Sequence, residues 1–119
     1  MTTTATIPVT RTAHSQLSQI DFANLGFGNY ISDHMFVADY KNGAWSTGEV
    51  VPFGPLPMTP AILSLHYGQA VFEGMKAFRM NNGSINLFRP QRHSQRLNQS
   101  LARMCMPLIE EEFFIEALK

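Results

Sequence analysis

The chain has 119 residues, with nine Lys plus Arg against nine Asp plus Glu and an isoelectric point near 6.9. So neutral a chain carries no broad electrostatic footprint for nucleic acid or acidic membranes. Apolar residues make up 45%, enough for a core and against wholesale disorder, and no apolar run nears the roughly 20 residues that span a bilayer.

The first 24 residues, rich in Thr, Ser, Ala and Gln, read as a loosely held polar arm without a signal-peptide pattern. The single cysteine, Cys105, excludes an internal disulfide and speaks against a cysteine-rich metal site. A reducing cytoplasm suits both features. The run HMFVADY (34–40) predicts a strand, the Asn42-Gly43 dipeptide a turn, and GEVVPF the returning strand, stopped by Pro52. FGPLPMTP (53–60) holds three prolines and predicts a stiff connector without regular structure. SLHYGQAVF (64–72) reads as a short helix with Leu65, Gln69 and Phe72 on one side. GMKAFRM and SINLFR flank Asn81-Asn82-Gly83 and predict a second hairpin. Its alternation puts Met75, Ala77 and Arg79 on one face and Lys76, Phe78 and Met80 on the other, so one face is expected on a core and the other against a second layer or a cavity.

Pro90 opens a helix, because a first-turn proline gives up a donor that has no helical partner. Leu97, Leu101, Met104 and Cys105 form its expected core stripe, while Arg92, Arg96, Gln99 and Arg103 fall on another side. Pro107 ends it. Glu110, Glu111 and Glu112 suit the positive N-terminal end of a further helix, with Phe113, Phe114, Ala117 and Leu118 at helical spacing. That pattern reaches Lys119 with no cap or closing turn, so the chain is expected to be the front part of a longer protein. The order of elements is that of an α+β layer with a mostly antiparallel sheet and helices packed on it.

Several residues could carry chemistry, and each has a plainer reading. Three arginines on one helical face could hold an anion, because a guanidinium is a permanent planar fork of donors; on spacing alone the stripe reads as a solvated face. Lys76 could form a Schiff base if buried, yet strand lysines usually extend into water. His34 and His66 lack metal-motif partners, and His14 and His93 sit in polar stretches, so no metal is assigned. Glu73-Gly74 suits close approach of backbone to a ligand, and equally a structural turn. Tyr67 and Phe72 are core or pocket wall; the residues alone leave both open.

Taken together, LHYGQAVFEGMKAFR, the hairpin ending INLFRP, the helix carrying QRL and the earlier FGNYISDHMF resemble the N-terminal lobe of branched-chain amino acid aminotransferases. These are pyridoxal 5′-phosphate (PLP) enzymes of the D-amino acid aminotransferase-like fold. The resemblance covers about residue 25 to residue 119, which would make 25–119 the N-terminal α+β lobe behind an arm at 1–24. It implies that Arg96 grips the cofactor phosphate, overturning the plain reading for that one arginine while Arg92 and Arg103 keep it. It also implies that Tyr67, Phe72 and, from the FG pair, Phe27 shape the substrate side-chain pocket, with Leu65 and Val71 packing inward. Aromatic walls reward burial of an aliphatic chain at about 0.8 kcal/mol per methylene.

The catalytic lysine of that family lies in a second lobe, and Lys41, Lys76 and Lys119 do not match it, so no catalytic residue is expected within this chain. The whole enzyme would exchange the amino group of leucine, isoleucine or valine with 2-oxoglutarate, as a cytoplasmic homodimer of amino acid biosynthesis acting on small molecules. This chain alone would be inactive and would not retain PLP. A D-amino acid aminotransferase or aminodeoxychorismate lyase of the same fold, or a non-catalytic α+β binding module, are the competing readings.

Overall fold

A computed structural model describes residues 6–119, so residues 1–5 of the expected arm lie outside the described residues. The chain divides into two compact units, Met1–Leu56 and Pro57–Lys119.

In the first unit, β1 (His34–Val37) pairs antiparallel with β4 (Glu49–Pro52), and β2 (Tyr40–Lys41) pairs with β3 (Ala44–Trp45). The two ladders form one kinked hairpin. Asn42 and Gly43 turn it with φ of 54° and 81°, the left-handed pair of a two-residue turn. Tyr40 and Trp45 face each other across it, edge to face with centroids 5.2 Å apart. Val37 pairs with Glu49 and Tyr40 with Trp45, so the returning strand carries one extra residue between the ladders. That bulge contains Gly48 at φ 69°, buried against the Phe36 ring.

The arm is more firmly held than its composition predicts. The backbone of Val50 receives Thr10 N–H at 2.8 Å and donates to the Pro8 carbonyl at 2.9 Å, laying Val9 parallel to β4. Thr12 N–H then donates to His34 Nε2 at 3.0 Å, while Ser15 Oγ and Gln16 N–H donate to the Asp33 carboxylate at 2.6 and 3.0 Å. Backbone groups of the arm take part in all but the Ser15–Asp33 bond, and they leave no trace in side-chain periodicity.

In the second unit, α1 (Leu63–Tyr67) stops where Gly68 turns left-handed at φ 64°. The helix expected to reach Phe72 is therefore corrected to five residues. From Gln69 to Met75 burial alternates instead: Gln69, Val71, Glu73 and Met75 are half-buried, Ala70, Phe72 and Gly74 exposed. This is the period of extended chain. β5 (Ala77–Arg79) and β6 (Ile85–Leu87) form the expected second hairpin. Here only Gly83 of the turn is left-handed, at φ 84°, and Met80 N–H donates to the Ser84 carbonyl at 2.8 Å, closing a three-residue loop. Phe78, Met80 and Ile85 are all exposed, so among the described residues neither face of this hairpin lies on a core, where one face was expected to. The antiparallel pairing is as read, and among the described residues it consists of short two-stranded ladders.

α2 (Pro90–Arg103) begins at Pro90 as expected and packs against α3 (Glu111–Leu118), whose first turn carries Glu111 and Glu112. Asn98 of α2 clamps the connection between them, its amide donating to the Ile109 carbonyl at 2.7 Å and accepting from Ile109 N–H at 2.8 Å. Leu101, 4% exposed, is the one fully buried apolar side chain among the described residues, and Ser94 one turn-pair earlier is buried beside it on the stripe. Leu97 and Met104 are half-buried. Cys105 is corrected to an exposed position: the helix has ended, and the residue sits left-handed at φ 53°. There Cys105 N–H donates to the Ala102 carbonyl at 3.2 Å and Met106 N–H to the Leu101 carbonyl at 2.9 Å, the double bond of a helix-closing motif that favours glycine. Cys105→Gly should accordingly raise stability by about 1 kcal/mol, seen as a higher urea midpoint at unchanged slope.

The chain exposes 10120 Å². Two separate compact bodies of half its mass would together expose only about 7,800 Å². Large apolar side chains are among what is exposed, Leu65, Phe72, Ile85 and Phe88 of the second unit included.

Candidate functional site

The site of the second unit is built around the extended segment 69–75 laid along α2. Gln69 Nε2 donates to the Met104 carbonyl at 2.9 Å at one end of α2. Four residues on, Glu73 meets His93 and Arg96 in its first half. Four extended residues cover about 13 Å, close to the rise of the eight to eleven helical residues between these anchors. The geometry fits the alternation: Gln69 and Glu73 are bonded to the helix and its end, Val71 between them is half-buried, and Phe72 is exposed.

Glu73 is the electrostatic centre. Its side chain is only 8% exposed, and its carboxylate accepts from Arg96 Nε at 2.7 Å and again from Arg96 Nη2, while His93 Nδ1 lies 2.7 Å from Oε1. His93 and Arg96 can share this partner because residues three apart on a helix are neighbours. The forked hydrogen bonding of Arg96, with a further contribution from His93, outweighs burial and holds the Glu73 carboxyl down to about 2. The same pair raises Arg96 above its ordinary range.

With its folded value below the ordinary 4.5, Glu73 contributes stability that is complete above about pH 4.5 and drains as pH falls toward 2. Urea midpoints measured across that window should fall with acid, and Glu73→Gln should flatten this part of the profile.

Arg96 itself is 62% exposed. Its Nε and Nη2 form the side-on edge held by Glu73, and Nη2 also lies 3.5 Å from the Gly74 carbonyl. Nη1, on the end-on edge, makes no hydrogen bond among the described residues. One edge of the guanidinium is thus fixed and the other available. Arg92, by contrast, is occupied locally with Gln95 at 3.0 Å. Such a donor set suits an anion with two or more oxygens, phosphate in particular.

The aromatic residues stand open. Tyr67 is 82% and Phe72 92% exposed in the second unit, and Phe27 of the first unit, between left-handed Gly26 and Gly28, is fully exposed. Leu65, expected to pack inward, is exposed, while Val71 is half-buried as expected. Spacing could not reveal the Glu73 clamp, since its partners lie 20 and 23 residues away. The available signal was a lone glutamate between apolar residues, beside a helix with basic residues three apart.

Among the described residues, no three of His, Cys, Asp and Glu gather where they could hold a metal ion. None of the helices among the described residues is long and apolar enough to cross a membrane.

No family model matches the chain. It is similar, at 48% identity over 99 residues, to branched-chain-amino-acid transaminase 1 of Bacillus subtilis strain 168, covering 82% of this chain and 28% of that protein. A branched-chain-amino-acid aminotransferase of Mycolicibacterium smegmatis is 46% identical over 98 residues, again 82% of this chain and 27% of the relative. One from Helicobacter pylori is 46% identical over 101 residues, 85% of this chain and 30% of the relative. The chain therefore spans less than a third of the length of the curated relatives it matches.

Proposed function

We propose that this chain, homologous over about four-fifths of its length to branched-chain-amino-acid aminotransferases, is the cofactor-phosphate lobe of such a transaminase. The observation that carries the reading is Arg96, anchored from behind by buried Glu73 and presenting its end-on edge outward. PLP, when bound, supplies an electron sink for the chemistry at the substrate α-carbon. The present residues would bind and orient: Arg96 holds the phosphate, Tyr67 and Phe72 of the second unit contact an aliphatic side chain, and Phe27 of the first unit keeps the substrate-contacting role that the resemblance implies for it. Their exposure fits this role, because rings so open in an apolar-rich chain await a cover. The exposed Phe78, Met80 and Ile85 point the same way, toward more polypeptide packed over the hairpin β5–β6. We assign the reactive lysine and the remaining cofactor contacts to that polypeptide, the boundary between arm and lobe to about residue 25, and the complete enzyme to a cytoplasmic homodimer.

The complete polypeptide, supplied with PLP, is expected to transfer the amino group of leucine, isoleucine or valine to 2-oxoglutarate and to neglect D-alanine. Preference for D-alanine in steady-state assays would replace this reading with a D-amino acid aminotransferase. Absence of any amino-group exchange, with the protein folded, would favour a non-catalytic module.

A further inference from the structure

We propose that Glu73 is a positioning residue: seated behind the guanidinium of Arg96 and braced by His93, it fixes the side-on edge so that the end-on edge meets a phosphate group. The inference rests on the reading of Arg96 as the phosphate grip, and it gives a role to two residues which that reading leaves without one.

An arginine has two edges with paired donors, Nε with Nη2 and Nη1 with Nη2. Glu73 takes the first. A carboxylate that competed with phosphate would be expected at the solvent side of the cation, on the outer edge. Here the exposures run the other way, 8% for the Glu73 side chain and 62% for Arg96. An anion arriving from solvent meets the cation first and the carboxylate lies behind it. His93 Nδ1, at 2.7 Å from the same Oε1, gives the carboxylate a second tether on α2. Gln69 on the Met104 carbonyl stops the segment sliding along the helix. A long side chain with many rotamers is thereby limited to one orientation before the ligand arrives, which reduces the entropy lost on binding.

The test is a spectral titration of the cofactor-free complete polypeptide with PLP, in a double-mutant cycle. Glu73→Gln keeps the shape but removes the charge, and should weaken PLP binding about tenfold; in an Arg96→Ala background the same change should have no effect, because Glu73 acts only through that guanidinium. Tighter binding in Glu73→Gln, an unchanged affinity, or an equal loss in both backgrounds would each overturn the proposal. If Arg96→Ala by itself leaves PLP affinity unchanged, the phosphate-grip reading falls as well, a result distinct from failure of Glu73 alone. A measurement without variants covers the case in which Glu73→Gln does not fold. The Arg96 Nε–H resonance of the wild-type protein should remain protected when inorganic phosphate is added, while the Nη resonances shift. Release of Nε–H on adding phosphate would show the carboxylate to be displaced and would refute the positioning role.

Discussion

Gly48→Ala is expected to destabilise the first unit by about 2–3 kcal/mol. Two effects add. Any L side chain at φ 69° strains the backbone, and a Cβ there would lie 2.2 Å from the tip of the Phe36 ring and 3.2 Å from the Val37 carbonyl. The ring tip can swing aside at some loss of packing; the carbonyl belongs to the β1–β4 ladder and cannot. Gly43→Ala is the control. Its φ is 81°, yet nothing lies within 4 Å of the added methyl, so only the backbone strain of about 1–2 kcal/mol applies. Urea denaturation of both variants checks this. Equal losses would mean that contact with Phe36 contributes nothing at the bulge.

Arg96→Ala in the complete polypeptide is expected to weaken PLP retention by about 1.5–3 kcal/mol, the typical worth of a hydrogen bond to a charged group. It should also lower acid-sensitive stability, because Glu73 is left buried with His93 alone. Arg96→Lys should recover only part of the affinity, since a lysine cannot serve two edges at once. Arg92→Ala, whose guanidinium is occupied with Gln95 on the helix surface, should leave PLP affinity unchanged. A spectral titration of the four proteins separates these outcomes.

The elements set by backbone stereochemistry within a few residues were legible in the sequence. Asn42-Gly43 turned where read, Pro90 opened α2, and Glu110 capped α3 with Glu111 and Glu112 in its first turn. What escaped depended on distant partners. The same Asn-Gly dipeptide gives a two-residue turn at Asn42-Gly43 and a three-residue loop ending at Gly83, because strand register and not the dipeptide decides the loop length. Gly68 ended α1 after one turn, although the following apolar residues allowed a longer helix on paper. The stripe on α2 was right at Leu101 and wrong at Cys105, where the chain had already left the helix. The arm was tied by backbone bonds to Val50 that no composition reveals. At the candidate site, the arginine stripe was visible as a pattern, but its division into a clamped Arg96 and a locally satisfied Arg92 required Glu73 to arrive from another segment.

A crystal structure of the complete polypeptide with PLP tests the account most directly. It should show phosphate oxygens about 2.7–2.9 Å from Nη1 and Nη2 of Arg96, with Glu73 still accepting from Nε. A phosphate held elsewhere while Arg96 projects into bulk water would contradict the account.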